Sequence, residues 1–394
     1  MGSRMENPEK ADPAYRKSLG LVELVSLGIG GTIGSGIFVV PGIAAGIAGP
    51  SSLVAWVAVA LSASCVALSL AWIQARSPSG TPFLAIFEPV FSPRASGAIA
   101  TIYLVSSVFG IATIASGLGQ YFTFFSITHV LAAEIFVIMA FLGINLVGIA
   151  LSGRTENVPT AAKVVPIVLI AVALLPFIRI ENLIPTETVP FSDILKVVII
   201  VYWPFTGFEI SAIPVQETKD PRSISRSLLI VMVLVCTIYL VLNIALIGSV
   251  GSAALAASPA PIASAVGIVF SGSGALVALI GIITMFSALN AYIVGTSRVL
   301  QNMAGRFRVS RLAELTLRGT PKNALVVSCI LSGGLLFFSN SFALLASIAV
   351  VTTLIPYIAI CLVALRLGVQ LREKVVGTLG AVLTAAILVL YFIF

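Results

Sequence analysis

The chain has 394 residues, of which 59% are apolar and only 9% charged, with a mean hydropathy of +1.13. A soluble domain carries about 25% charged residues, so this composition excludes one and points to a chain that lives in a bilayer. The net charge of +7 does not mark a nucleic-acid surface, because the basic residues are scattered through short connections and not gathered on one solvated face.

Residues 1–18 are polar and lead straight into the first apolar run. They lack a small-residue cleavage site behind a short hydrophobic core, so nothing reads as a secretory signal. A helix needs about 20 apolar residues to cross the hydrocarbon core. Apolar runs and their Gly, Pro and charge punctuation predict eleven such helices, at 21–48, 51–76, 94–125, 130–150, 155–178, 192–216, 226–250, 273–304, 323–339, 342–366 and 374–393. The expected fold class is an all-α polytopic membrane protein with a single transmembrane domain over 19–394. Residues 83–91 read as a half-buried connection. The stretch 251–264 reads as an outer loop, with a short surface helix as the alternative, and the Arg-rich stretch 305–322 as a solvated basic segment or an amphipathic inner-face helix.

Orientation follows from the basic residues. Arg4, Lys10, Arg16 and Lys17 precede the first helix, and Arg76, Arg94, Arg154, Lys219, Arg222, Arg226, Arg306, Arg308, Arg311, Arg318, Lys322, Arg372 and Lys374 all fall at even-numbered connections. The opposite connections hold little beyond Arg179 and Lys196. The positive-inside rule therefore places the N-terminus in the cytoplasm and Phe394 outside. Cys65, Cys236, Cys329 and Cys361 lie inside apolar runs without metal-ligand spacing, and the single histidine, His129, has no partner nearby in sequence. Neither a disulfide framework, a metal site nor a cofactor is expected.

Two helices carry breaks. The first contains Gly28, Gly30, Gly31, Gly34 and Gly36 within nine positions near mid-membrane. Each costs up to about 1 kcal/mol in helix propensity, and irregular backbone survives in lipid only where it lines a cavity. Close helix packing through Gly30 and Gly34 is the alternative reading. The sixth contains Tyr202-Trp203-Pro204-Phe205-Thr206-Gly207-Phe208-Glu209, where Pro204 removes a donor and clashes with the preceding turn. Breaks that open each of two sets of five helices suit an inverted repeat. Half-helix N-termini attract an anion and half-helix C-termini a cation, so a zwitterion fits both, although a sugar or nucleobase could use similar breaks.

The motif Gly30-Gly31-Thr32-Ile33-Gly34-Ser35-Gly36-Ile37-Phe38, the second motif Trp203-Pro204-Phe205-Thr206-Gly207-Phe208-Glu209, and Ser297-Arg298 with Gly319-Thr320-Pro321 resemble the amino acid/polyamine/organocation (APC) transporter superfamily over about residues 15–366. The resemblance implies the leucine-transporter (LeuT) fold, a 5+5 inverted repeat with helices 1 and 6 broken. Its first repeat would span 19–180 and its second 190–366, with 374–393 an additional helix. Family members usually have twelve helices, and the eleven read here depart from that outside the ten-helix core.

Carried over, the resemblance implies that a substrate carboxylate meets Ser35 and Gly36, with Gly34 letting the chain turn. The amino group would meet carbonyls around Thr32, Ile33, Trp203, Pro204 and Thr206, and Trp203 and Phe208 would close over the substrate. Pro204 stands where the family often has a small residue. The pocket wall in the third helix, Val108-Phe109-Gly110-Ile111-Ala112-Thr113-Ile114, has no charge, which favours a neutral amino acid; a cationic one would need an acid such as Glu209 as counter-ion.

Lys163 lies about two turns beyond Arg154 in the fifth helix, deep enough either to snorkel to the inner surface or to point inward. The resemblance implies the latter. In sodium-independent relatives a lysine replaces the sodium ion between helices 1, 5 and 8, bonded to a first-helix carbonyl such as Gly30 and near Ser287. Proton loss from Lys163 would then be linked to movement of the first helix. Glu209 is expected as a gate or network residue, and Asn290 as lining the pathway, with helix-to-helix bonding as its alternative. Glu23 is assigned no transport role, and Glu134 and His129 are expected near the solvated outer surface.

The expected function is secondary active transport of a neutral amino acid by alternating access, in symport with protons and without sodium. No nucleotide loop is present in the sequence. The alternatives are an amino acid exchanger or a cationic amino acid or polyamine carrier. A channel or membrane enzyme would instead show rings of charge or a clustered acid, base or metal set. The expected partners are the amino acid, protons and the lipid bilayer; no protein partner is specified.

Overall fold

The computed structural model describes residues 19–77, 83–147, 153–220, 222–316 and 319–394, with the backbone alone for 153–159 and Gln216. The N-terminal segment 1–18, the last residues of the expected helix at 130–150, the Arg154 side chain and Arg318 lie outside what is described.

The glycine-rich first span folds as two helices, α1 (Leu21–Thr32) and α2 (Ser35–Ala48). They are followed by α3 (Ser52–Arg76), α4 (Pro93–Phe124), α5 (Val130–Leu146) and α6 (Gly153–Leu174). The sixth span starts as α7 (Phe191–Tyr202) and then departs from a helix: Pro204 has no N–H to continue the ladder, and the chain runs on as short 3-10 turns over Trp203–Phe205, Phe208–Ala212 and Val215–Glu217. The chain continues as α8 (Arg222–Val250), α9 (Ser252–Ala256), α10 (Pro261–Val269), α11 (Gly274–Arg306), α12 (Ser310–Ala313), α13 (Lys322–Phe338), α14 (Phe342–Leu367) and α15 (Leu371–Ile393).

Among the described residues, eight segments are long and apolar enough to cross a membrane, and one of them, the 56-residue stretch Leu21–Arg76, is long enough for two crossings, divided by a 3-10 turn at residues 49–51. The 17-residue helices α5 and α13 reach the lower limit of a spanning helix. Each of the eleven expected spans thus has a counterpart among the described residues. Large apolar side chains such as Val54, Leu61, Phe136, Val233 and Phe338 are exposed around the bundle, as a surface solvated by lipid requires.

Three of the connections take definite form. The 251–264 region is helical in α9 and α10, not a loop; Pro261 starts α10 at a position where a missing N–H costs nothing. The Arg-rich stretch at 305–322 forms only the one-turn α12, because positive φ at Arg308 and Gly319 interrupts any longer helix. Residues 83–87 form a 3-10 turn in which Phe83, Leu84, Ile86 and Phe87 are buried.

The packing survives exchange of two five-helix sets. α1 packs on α8 as α7 packs on α3; α3 packs on α14 as α8 packs on α6; α4 packs on α14 as α11 packs on α6; and α4 meets α5 as α11 meets α13. Five is an odd number of crossings, so the second set enters the bilayer from the face opposite to the first, which makes the repeat inverted. At the centre, Trp56 of α3, Phe205 of the sixth span and Tyr239 of α8 pack ring on ring at 5.2 to 6.0 Å. A short parallel bridge between Leu19 and Thr218 ties the start of the first span to the end of the sixth.

Candidate functional site: the paired helix breaks

Ile33 and Gly34 leave helical geometry, with Gly34 at φ −148° and ψ −141° as the residue before α2. No side chain caps the N-terminus of α2, so its first N–H groups and dipole point into the break. The two breaks press together closely enough that only glycine fits. A Cβ on Gly36 would lie 2.6 Å from the Pro204 Cα, and one on Gly31 would lie 2.8 Å from the Gly207 carbonyl oxygen. Gly207 itself takes φ +96°, where a side chain would be strained. The sequence alternative of close packing through Gly30 and Gly34 holds in part: Gly34 packs on Ala288 of α11, while Gly31 and Gly36 pack against the second break.

Around that junction, Trp203 donates from Nε1 to the Ser35 Oγ at 3.3 Å, and its ring packs on Tyr292 of α11 with centroids 5.8 Å apart. Thr206 donates from its hydroxyl and its N–H to the Trp203 carbonyl at 2.8 and 3.1 Å, and its Oγ1 lies 3.3 Å from the Tyr292 hydroxyl. The Thr32 carbonyl accepts from the Tyr239 hydroxyl at 2.9 Å, while the Thr32 hydroxyl back-bonds to Gly28 at 2.7 Å. Two of the carbonyls expected for an amino group are thus already engaged within the protein. The Ile33 N–H bonds to Ile29 at 2.8 Å, so α1 ends as an ordinary helical turn before the chain bends.

Phe208 is fully buried against Tyr357 of α14, at a centroid distance of 5.5 Å, and its carbonyl accepts from Ser211. Of these partners, Tyr357 also bonds Glu209. Glu209 accepts from the Tyr357 hydroxyl at 2.7 Å, the Tyr103 hydroxyl at 3.2 Å and the Gly207 N–H at 3.0 Å. One carboxylate thereby joins α4, α14 and the sixth-span break. A narrow cavity of about 10 Å³ beside it is lined by Tyr103, Ser107, Glu209, Tyr292, Thr296 and Thr353 among others.

Lys163 is 1% exposed, which removes the snorkelling alternative. Its Nζ donates to the Gly30 carbonyl at 3.2 Å and to the Ser287 Oγ at 3.0 Å, while one turn earlier Thr160 donates to the Ser26 carbonyl at 3.1 Å. The lysine thus bridges α1, α6 and α11. Asn290 makes the helix-to-helix bond of its alternative reading: its Oδ1 accepts from the Asn145 Nδ2 at 2.8 Å, joining α5 to α11, as an amide buried between helices must find a partner. Glu23 accepts from the Gly20 N–H at 2.9 Å and closes the start of α1. His129 is exposed, but Glu134 is 1% exposed, packed against Gly119, which corrects the expectation that it is solvated.

The residues that sequence reasoning missed are tyrosines. Tyr103, Tyr239, Tyr292 and Tyr357 supply hydroxyls to the two breaks and to Glu209. The available signal was a phenol in the middle of an otherwise apolar helix, where a buried O–H demands a partner.

Interrupted first and sixth spans, packed face to face inside an all-helical bundle, define a polytopic membrane transporter. The profile of the amino acid permease family matches residues 19–394, and the chain belongs to that family, as a membrane amino acid transporter of the APC superfamily. Among its relatives, the inner membrane transport protein YbaT of Escherichia coli (strain K12) is 27% identical over 387 residues, covering 92% of this chain and 87% of the relative. The L-methionine/branched-chain amino acid exporter YjeH of the same organism is 25% identical over 388 residues, with 95% and 91% covered. The E. coli (strain K12) cadaverine/lysine antiporter is 24% identical over 387 residues, with 91% and 86% covered.

Proposed function

We propose that the chain moves a neutral amino acid by alternating access, coupled to protons and independent of sodium, with its N-terminus in the cytoplasm. The observation that carries this reading is the position of Lys163. Its ammonium sits between α1, α6 and α11, bonded to the Gly30 carbonyl at 3.2 Å and to Ser287 at 3.0 Å. A fixed ammonium supplies the charge that a bound cation would otherwise supply there. A change in its protonation would alter the bond to α1, the half-helix that ends at the break. Two repeats, 19–180 and 190–366, with 374–393 as an added helix, would rock against each other around this junction.

The substrate carboxylate would take the N-terminal amides of α2 at Ser35 and Gly36. The ammonium would take carbonyls from Thr32, Ile33, Trp203, Pro204 and Thr206, with Trp203 closing the site from the α7 side. The wall that α4 presents at Gly110 touches the Tyr292 and Trp203 rings and carries no charge, which supports a neutral side chain. Among the relatives are an exporter of methionine and branched-chain amino acids and an antiporter of cadaverine and lysine. Exchange in place of symport is therefore the second reading.

The test is uptake of labelled amino acids into proteoliposomes under an imposed inward proton gradient or an inward sodium gradient. Saturable, proton-stimulated uptake of neutral amino acids, with the stimulation lost in Lys163→Gln, is the expected result. Uptake driven only by sodium, or only by preloaded amino acid, would overturn the proton coupling. Lys163→Gln with full proton-driven uptake would overturn the role of the lysine.

A further inference from the structure

On the face of the bundle that carries the basic connections, α3, the turn at Phe83–Phe87, α14 and α15 leave a crevice of about 180 Å³ with Trp72, Ile86, Pro89, Ala364 and Leu367 in its walls. Past Pro89 and Leu367 it opens into a second crevice that adds Phe91, Leu362 and Arg366. The two share walls and form one groove between the added helix α15 and the core.

The walls are apolar and the rim is cationic. Arg76 bonds Glu373 at 2.5 Å and remains 41% exposed, while Glu373 is 2% exposed. The second oxygen of Glu373 is taken by the N–H groups of Val369 and Gln370, at 2.9 and 3.1 Å. At the same rim Arg366, Arg372 and Lys374 are exposed, and none of them forms an ion pair among the described residues. Glu88, beside Pro89, is committed to Arg306 at 2.8 Å. Cationic charge thus exceeds acidic charge at the mouth of an apolar groove, at the level of the helix ends where headgroups lie.

A small aqueous anion has no use for apolar walls, and an apolar partner helix has no use for the arginines. An amphiphile with an anionic head matches both. We propose that this groove binds an anionic phospholipid of the leaflet on the basic side. Its phosphate rests on Arg366 and the exposed edge of Arg76, and one acyl chain lies against Phe91, Leu362 and Leu367. Basic pockets between membrane helices select anionic headgroups through this combination of charge and apolar contact.

The experiment titrates fluorescent phosphatidylglycerol, and phosphatidylcholine with the same chains, into the purified full chain in detergent. Binding is read without transport, so its outcome is independent of the proposed function. Phosphatidylglycerol is expected to bind more tightly. Arg366→Gln, at an exposed position, should weaken it about fivefold and leave phosphatidylcholine unchanged. Leu362→Trp, which fills the groove and keeps every charge, should weaken both. Equal binding of the two lipids, parental phosphatidylglycerol affinity in both variants, or displacement of the lipid by millimolar inorganic phosphate would overturn the proposal.

Discussion

Gly34 offers a test of the paired breaks in which a single added methyl has a single opponent. A Cβ built there meets one atom within 4 Å, the Ala288 Cβ of α11, at 2.6 Å. Carbon atoms rest at about 3.5–4.0 Å, so Gly34→Ala must drive α11 and the start of α2 apart by roughly 1 Å. Overpacking of this kind costs about 1–3 kcal/mol. If the strain falls on the closed arrangement of the breaks, it shifts the population of that arrangement by about five- to 150-fold. Ala288→Gly removes the opposing methyl and costs up to about 1 kcal/mol in helix propensity. The double variant should therefore be more stable than Gly34→Ala alone and recover most of its uptake, a coupling of about 1–3 kcal/mol where independent sites would add. Thermal unfolding in detergent and initial uptake in proteoliposomes read the two halves of the argument. A double variant no better than Gly34→Ala, or a Gly34→Ala indistinguishable from the parent, would refute the proximity of these two positions.

Gly36→Ala should be harder to rescue, because its Cβ would meet the Pro204 Cα at 2.6 Å and N at 2.9 Å, which is backbone against backbone. Uptake should drop further than for Gly34→Ala, while Gly333→Ala in α13, with nothing within 4 Å, should leave uptake unchanged and raise the melting temperature slightly through helix propensity. Glu209→Gln places an amide N–H₂ among three donors, the hydroxyls of Tyr103 and Tyr357 and the Gly207 N–H. At least one buried donor loses its acceptor, at a cost of about 1–3 kcal/mol, so a lower melting temperature and slower uptake are expected, and parental values for both would remove Glu209 from the network. Glu373→Gln loses the ion pair to an Arg76 that is 41% exposed, a pair worth about 1 kcal/mol or less after screening. A small fall in melting temperature with unchanged uptake is the expected reading, and a large loss of uptake would show that α15 takes part in transport.

Helix existence was legible because a spanning helix must be long, apolar and nearly free of charge, and those constraints leave a mark that needs no partner to read. The first break was legible for the same reason: five glycines in nine positions have no economical place in a continuous helix. The sixth span was less so. Pro204 announced an interruption, but the succession of 3-10 turns after it depends on Glu209 pulling in the Gly207 N–H and on Gly207 taking positive φ against Gly31. The second of these is a contact between segments far apart in sequence. Likewise 251–264 read as a loop because it is rich in Ala, Ser and Pro, whereas Gly42 of α2 packs on Leu255 and Pro261 and helps hold α9 and α10 in helical form.

Ionisable side chains divide along the same line. Lys163 stood out because an ionisable group inside an apolar run is rare, but its depth also fitted snorkelling, and only the family resemblance implied its place against the first helix. Glu134 gave the opposite impression, since the fifth position of a helix is a depth that either solvent or protein can claim. Its burial is decided by Gly119 of α4, which leaves room for the carboxyl. The tyrosines were silent because a phenol in an apolar helix is compatible with packing alone until the carbonyl or carboxylate opposite it is known.

The hydrogen bonds inside the breaks bear on how a substrate would be held and released under the proposed assignment. The Thr32 carbonyl is bonded to Tyr239, the Trp203 carbonyl to Thr206 twice over, and the Ser35 hydroxyl to the Trp203 indole at 3.3 Å. That last contact lies beyond the usual 2.7–3.2 Å range of an N–H···O bond and is the weakest of the set. A zwitterion entering here exchanges protein bonds for ligand bonds, and such an exchange is worth only about 0.5–1.5 kcal/mol per bond. Breaks with wholly unpaired polar groups in an apolar interior would cost several kcal/mol when empty, and the return step without substrate would carry that cost. Breaks whose carbonyls are bonded within the protein when empty keep the loaded and unloaded forms closer in free energy, which is the condition for a carrier to cycle between two faces.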